Sequence, residues 1–171
     1  LDFSPVAGSV ALAQQFGDSI AATLPKAALF MHEMATLLEE LPVALDRFGR
    51  IASRPGLDAP HAHAVNLKQQ GLLPLISAVR LLSLRHGLRE VATRERLIAL
   101  SHRAEVLTFA QAELLLAAFE RLQKCLLDQQ RLNKAHGQTA DGWVDVRLLR
   151  DDERLLLKFD LQQIKRLIAS L

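Results

Sequence analysis

The chain has 171 residues, of which 50% are hydrophobic and 5% aromatic, and its 21 Lys and Arg residues nearly balance its 19 Asp and Glu residues. A chain of this size can bury one sizeable core without disulfides, and its richness in Leu and Ala favours helices over sheets. The net charge of +2, with acids and bases interspersed, excludes the concentrated basic stripe of a nucleic-acid-binding protein.

The N-terminal part of the chain is predicted to contain two helices. Ser9 is a favourable N-cap for a helix over residues 10–22. Pro25 suits the first turn of a second helix, because the first turn does not use its missing N–H, and Pro42 ends that helix after Leu41. The predicted apolar side of the second helix consists of Phe30, Met34, Leu37, Leu38 and Leu41.

The segment from residue 47 to residue 70 has a different character. Helix-breaking residues interrupt it, namely Gly49, Pro55, Gly56 and Pro60. Residues 48–51 and 63–68 are short and partly alternating, so they are predicted to pair as a β-hairpin across the turn-rich residues 53–60.

Two helices follow this segment. The first is predicted over residues 71–86, with Pro74 in its first turn and Gly87 immediately after its last turn. Its predicted buried side consists of Leu72, Ile76, Val79, Leu82 and Ser83. A shorter helix begins at Thr93 and ends near His102.

The C-terminal part is predicted to contain the longest helix and the last one. Thr108 and Gln111 form a capping box that opens a helix ending near Ala135. A polar loop with Trp143 follows, and the acidic residues 151–153 suit the positive end of the last helix. The predicted buried positions are Leu115, Phe119, Leu122 and Leu126 in the long helix, and Leu157, Leu161, Ile164, Ile168 and Leu171 in the last one.

These patterns together predict a mainly all-α fold. Several long amphipathic helices indicate a bundle of about five to seven helices. The β-hairpin near residues 48–68 is predicted to be a small appendage at one end of this bundle.

Candidate chemistry within the chain is sparse. His61 and His63 are two residues apart, so on a strand they face the same way and could begin a zinc site; the alternative is two polar residues on an exposed hairpin. Cys125 lies in an apolar helical pattern, which indicates a packed cysteine rather than a nucleophile. The chain has no Gly-x-Ser-x-Gly motif, no Cys-x-x-Cys motif and no glycine-rich phosphate loop, so no complete catalytic site and no metal site is predicted in it.

The segment Asn66-Leu-Lys-Gln-Gln-Gly71 is the richest in polar groups. It lies where a predicted strand meets the start of a helix, and helix N-termini attract anions. Lys68 would add a point charge for a phosphate, and Arg80 lies on the helix that follows. The alternative is a turn in which Gly71 supplies backbone freedom and Lys68 is merely solvated.

Residues 65–88, VNLKQQGLLPLISAVRLLSLRHGL, resemble the signature of the putative nucleotidyltransferase substrate-binding domain. The family pattern has an acidic or polar residue, a hydrophobic residue and Lys, then Gly-Leu-Leu-Pro and an Arg on the helix. Those places are filled by Asn66, Lys68, Gly71, Leu72, Leu73, Pro74 and Arg80, with Asn66 where the family usually has Asp. Residues 93–97 are similar to the family's Asn-Thr-x-Glu-Arg-Leu turn, and Gln130 matches a common glutamine of its long helix.

The resemblance implies a two-part organisation. Residues 1–8 would be the junction from an upstream nucleotidyltransferase domain, and residues 9–171 a single helical substrate-binding domain. Asp2, in the pattern hydrophobic-Asp-hydrophobic, would be the third metal-binding carboxylate of that upstream domain. Residues 3–8, Phe-Ser-Pro-Val-Ala-Gly, resemble the family's entry motif Asp-x-Arg-Pro-Val-x-Gly, with Ser4 where Arg is usual.

The resemblance also implies partners and context. The longer parent protein would use Mg²⁺ and a nucleoside triphosphate, whereas this chain would have no cofactor and no activity of its own. The domain would wall the catalytic cleft, with Asn66, Lys68, Gly71 and Arg80 at the substrate and a protein or small molecule as acceptor. The family occurs in bacterial signalling proteins with CBS and cyclic-nucleotide-binding domains, and it is related to the uridylyltransferases of nitrogen signalling.

The remaining expectations concern location and assembly. A single cysteine suits a reducing compartment, and neither a signal peptide nor a membrane-spanning apolar run is present, so a cytoplasmic protein without membrane contact is expected. Because the sequence starts with Leu1 rather than Met, we expect it to be a piece of a longer protein. The alternative function is a non-enzymatic interaction module of a signalling protein, which could form a homodimer.

Overall fold

The computed structural model describes residues 7–53, 63–103 and 105–171, and over these residues it confirms a mainly all-α fold. The helices in this part of the chain are α1 (Val10–Thr23), α2 (Ala28–Glu39), α3 (Leu73–Arg85), α4 (Thr93–Ser101), α5 (Phe109–Ala135) and α6 (Asp151–Ala169). A 3-10 turn, Leu24–Lys26, separates α1 from α2, and a π-helical turn, Lys68–Leu72, leads into α3. Among these described helices none has the length and apolar character that crossing a bilayer requires.

The predicted helix caps are confirmed. Ser9 Oγ accepts a hydrogen bond from the Leu12 backbone N–H at the start of α1. Thr108 and Gln111 form the predicted capping box, in which each backbone N–H donates to the other's side-chain oxygen. At α6 the Glu153 carboxylate accepts from the backbone N–H of Arg150, so acidic groups do occupy the first turn.

Helix α3 is the centre of the core. It is buried on most of its circumference, as expected for a helix that neighbours surround on several sides. Helices α2, α4 and α6 pack against it, and α5 packs against both α4 and α6. The fully buried leucines and isoleucine of this core are Leu67, Leu75, Leu81, Leu97, Leu100, Leu122, Leu161 and Ile164.

Three residues of the predicted apolar side of α2 pack on the core: Leu38 is buried, and Met34 and Leu41 are partly buried against it. Met31 and Leu38 are its buried residues, whereas Phe30 and Leu37 are exposed. Two buried positions seven residues apart form a narrow line along one side of the helix. The predicted wide apolar side is therefore wrong for Phe30 and Leu37, because α2 meets the core along a single line.

A small two-stranded antiparallel sheet is present, as predicted, but one of its strands is not the predicted one. Strand β1 (Ala64–Asn66) pairs with β2 (Trp143–Asp145), and Val65 lies opposite Val144. Both valines are buried, so one side of this short sheet contributes to the core. The loop predicted around Trp143 therefore contains a strand.

Residues 48–51, the predicted partner of β1, belong instead to a separate turn. The Asp46 carboxylate accepts hydrogen bonds from the backbone N–H groups of Phe48 and Arg50, which curls the chain tightly. Ile51 then forms a single bridge with Leu45. The rest of the predicted hairpin turn, residues 54–60, lies outside the described residues.

Candidate functional site

The polar segment singled out by the sequence forms the turn that links β1 to α3. Asn66 ends β1, and its Oδ1 atom accepts a hydrogen bond from the Gln69 backbone N–H at 3.0 Å. The Gln70 carbonyl accepts another from the Ala44 backbone N–H at 2.9 Å. The turn is thus fixed from two sides, and Lys68 at its start is exposed.

The loop before β2 packs directly on this turn. The Lys68 backbone N–H donates to the Gly142 carbonyl at 3.3 Å. A Cβ atom at Gly142 would lie 2.8 Å from both Asn66 Oδ1 and Lys68 Cβ, so only glycine permits this approach without a shift. The stem of Lys68 therefore lies against the residue that precedes Trp143. We call Asn66, Lys68, Gly142 and Trp143 the strand junction.

Helix α5 holds the strand junction in place through paired glutamines. Gln130 Nε2 donates to the Asp141 carbonyl at 2.7 Å, and Asp141 Oδ1 accepts from the Trp143 backbone N–H at 3.0 Å. Gln129 Oε1 accepts from the Asp145 backbone N–H at 3.1 Å. Both edges of β2 are consequently engaged, one by β1 and the other by the side chains of α5.

The other predicted site residues lie at different distances from Lys68. Gly71 is buried, and a Cβ atom there would lie 3.2 Å from Leu67 Cδ1 and 3.5 Å from Leu122 Cδ2. Its φ is not positive, so close packing rather than backbone freedom explains the glycine. Arg80 is half-buried on α3, twelve residues beyond Lys68 or roughly 18 Å along the helical axis. The fold therefore joins Asn66 and Lys68 but separates them from Arg80, while Asp2 lies outside the described residues.

A cleft of about 510 Å³ lies between α5, α6 and the loop that follows β2. Its apolar lining includes Val144, Leu149 and Leu157, and charged side chains from α5 and α6 also line it. A volume of this size is typical of small-molecule sites. The sequence did not reveal this cleft, because it depends on how α5 and α6 meet.

A buried ion pair lies in the wall of this cleft. Arg121 donates to Asp160 through Nε at 2.7 Å and through Nη2 at 2.5 Å. The Asp160 side chain is 1% exposed, and the hydrogen bond to it raises the pKa of Arg121 above its ordinary value. One signal was available, because Asp160 falls between Leu157 and Ile164 on the apolar stripe of α6, where an acid needs a partner.

A second cavity, of about 310 Å³, opens on the other side of β2. Trp143 and Asp145 border it from the strand, and Gln129, Asn133 and His136 border it from α5 and its end. The Gln129 side-chain amide donates to Asn133 Oδ1 at 2.8 Å, so the two amides hold each other in place. We call it the Trp143 cavity.

Neither a metal cluster nor a reactive thiol is found among the described residues. They contain no group of three or more His, Cys, Asp and Glu side chains arranged to hold a metal ion. His63 is exposed, and His61 lies outside the described residues, so their pairing stays a prediction. Burial raises the pKa of the Cys125 thiol, which agrees with a packed cysteine.

Comparison with known proteins identifies a family. The family model described as putative nucleotidyltransferase substrate binding domain matches residues 28–171, which include every strand and every helix after α1 described above. No curated protein and no solved structure matches the chain.

Proposed function

Because the chain belongs to the putative nucleotidyltransferase substrate binding domain family, we propose that its strand junction presents Lys68 to the substrate of a nucleotidyltransferase. Lys68 is exposed, its backbone N–H donates to the Gly142 carbonyl at 3.3 Å, and the start of its stem lies against Gly142. These contacts determine where the side chain leaves the turn, so Lys68 offers a point charge for a phosphate beside the strand junction. This is the observation that carries the proposal.

The other family positions then have supporting roles. Asn66 holds the turn by accepting from Gln69, and Gly71 allows the turn to pack on α5. Arg80, more than two helical turns from Gly71, would act on a different part of the substrate or of the catalytic domain. The bundle would wall a cleft whose metal-binding carboxylates, Asp2 among them, belong to an upstream domain that uses Mg²⁺ and a nucleoside triphosphate.

The parent would be a cytoplasmic bacterial signalling protein with CBS and cyclic-nucleotide-binding domains. Its acceptor would be a protein or a small molecule.

The test is nucleotidyl transfer by the protein that carries the upstream domain, with Lys68→Ala. We expect kcat/KM to fall by about tenfold or more, mainly through KM, since a charge-assisted contact with a phosphate would be lost. Lys26→Ala is the matched control, because Lys26 is also exposed but lies in the turn between α1 and α2. Equal activity of the two variants would contradict the proposal.

A homodimeric interaction module is the second candidate, and one observation favours it. Helix α1 has no buried residue, and Val10 and Leu12 on it are each 66% exposed. Nearby in sequence, Leu29 and Leu37 of α2 are 73% and 62% exposed. Sedimentation analysis separates the two candidates: a dimer that Leu37→Glu dissociates, together with an inert Lys68→Ala, would support the module instead.

A further inference from the structure

We propose that the Trp143 cavity is a nucleobase site, so that the ligand of the strand junction is a nucleoside phosphate, with its base on Trp143 and its phosphates at Lys68. This inference rests on the proposed function, because it takes Lys68 as the phosphate contact, and it specifies the class of the substrate.

Side chains alternate between the two faces of the short sheet, and this alternation places Trp143 at the cavity. Val65 and Val144 face the core and are buried. Ala64, Trp143 and Asp145 therefore belong to the opposite side of the sheet, and all three border the cavity. Trp143 is half-buried, so its ring forms part of a wall rather than part of the core. Proteins commonly bind bases by stacking them on such a ring, and any of the bases can stack in this way.

The remaining walls supply polar groups in fixed positions. The Gln129 and Asn133 side chains are tied to each other, and Gln129 is also tied to the Asp145 backbone. His136 Nδ1 lies 2.8 Å from the Leu132 carbonyl, which can only accept, so Nδ1 carries the proton. In the neutral imidazole, Nε2 is then an acceptor for a base amino or imino group. A few ordered polar groups beside an apolar platform are what a base requires.

The position of Lys68 determines the orientation of the ligand. The Asp145 carboxylate borders the cavity, and Arg147 Nη2 donates to its Oδ2 at 2.7 Å, so this ion pair offers remaining acceptor lone pairs to the N–H groups of a base rather than a free charge. Lys68 lies outside the cavity walls, and its stem packs on Gly142, next to Trp143 in the chain. The uncharged end of a nucleotide therefore fits the cavity, and its charged end fits the edge at Lys68.

The experiment uses the fact that Trp143 is the only tryptophan in the chain and that the chain has no tyrosine. Tryptophan fluorescence of the 171-residue chain is followed while each nucleoside triphosphate, the corresponding nucleosides and inorganic tripolyphosphate are added in turn. We expect saturable quenching by nucleotides, weaker binding with the same quenching by nucleosides, and no quenching by tripolyphosphate.

Variants measured by calorimetry test the role of the ring. Trp143→Leu should weaken nucleotide binding by about tenfold or more, whereas Trp143→Phe should restore most of the affinity because it keeps a stacking surface. Phe48→Leu, at an aromatic ring that is 65% exposed in the turn after α2, is the matched control and should bind as the parent chain does. Circular dichroism of each variant verifies that the helices are intact.

The outcomes separate this inference from the proposed function. If tripolyphosphate binds as tightly as nucleotides in a Lys68-dependent way and fluorescence does not change, the phosphate contact stands and the base site is overturned. Equal nucleotide affinity of Trp143→Leu and the parent chain also overturns it. If nucleosides quench the fluorescence of Trp143 equally in Lys68→Ala and in the parent chain, the base site is supported. This holds even if Lys68→Ala has no effect on nucleotidyl transfer. Absence of quenching by any nucleoside or nucleotide overturns the inference.

Discussion

Asp145 ends the second strand of the small sheet and borders the Trp143 cavity, and Arg147 controls its charge. The Arg147 backbone N–H donates to Asp145 Oδ1 at 2.9 Å, and its guanidinium donates to Oδ2 at 2.7 Å. The side-chain hydrogen bonds from Arg147 are the main reason why the pKa of Asp145 lies below its ordinary value of 3.8. Partial burial of the carboxylate acts in the opposite direction and would raise that pKa. A local turn thus keeps the carboxylate ionised at the cavity wall.

Arg147→Gln should make stability depend less on pH. A lowered folded-state pKa gives stabilisation that is complete above the unfolded pKa and is lost as pH falls through the folded pKa. We therefore expect the variant to lower Tm by a few degrees at pH 7 and to converge with the parent chain in acid, as measured by thermal denaturation across pH. Arg131→Gln, at an arginine that is 83% exposed, is the control. An equal difference in Tm at every pH would contradict this account.

At the scale of elements, the sequence predicted the helix caps, which depend on neighbouring residues, but not the pairing of two strands that are distant in the chain. The caps at Ser9 and Thr108 depend on residues within three positions of each other, so the sequence contains the whole signal. Strand β2 has only three residues, and its partner β1 lies far away in the chain. It is held by backbone pairing with β1 on one edge and by the Gln129 side chain of α5 on the other, and both contacts depend on how distant segments pack.

Gly142→Ala should show how closely these elements approach. The added methyl group would lie 2.8 Å from Asn66 Oδ1, which the Gln69 backbone N–H holds, and from Lys68 Cβ. We expect a loss of about 1–3 kcal/mol in the free energy of unfolding, measured with denaturant. Gly71→Ala is the comparison variant: its Cβ would lie 3.2 Å from the end of the Leu67 side chain, a looser contact than the 2.8 Å at Gly142, so we expect a smaller loss. A larger loss for Gly71→Ala would be evidence against the tight contact at Gly142.

At the scale of the whole molecule, the sequence predicted the buried faces of α5 and α6 but not which residues meet across them. The stripes of α5 and α6 are confirmed at Leu122 and Leu161. The meeting of Arg121 with Asp160 depends on how both helices are rotated and offset, which periodicity leaves open. For the same reason Lys68 could be proposed from its motif, whereas the cavity beside Trp143 requires the assembled bundle.

Arg121→Met tests whether this ion pair clamps α5 to α6 beside the larger cleft. Methionine keeps an apolar stem but leaves the buried Asp160 carboxylate without its guanidinium, a loss that costs 3–5 kcal/mol in fully buried pairs. Because the Arg121 side chain is 36% exposed, we expect the free energy of unfolding, measured with denaturant, to fall by about 2–3 kcal/mol.

Arg94→Met, which breaks the exposed pair with Glu120, should lower the free energy of unfolding by less than about 1 kcal/mol. The double variant Arg121→Met with Asp160→Leu should recover most of the loss, because no unpaired charge then remains buried. Equal losses for Arg121→Met and Arg94→Met would mean that the clamp contributes no more than a surface pair.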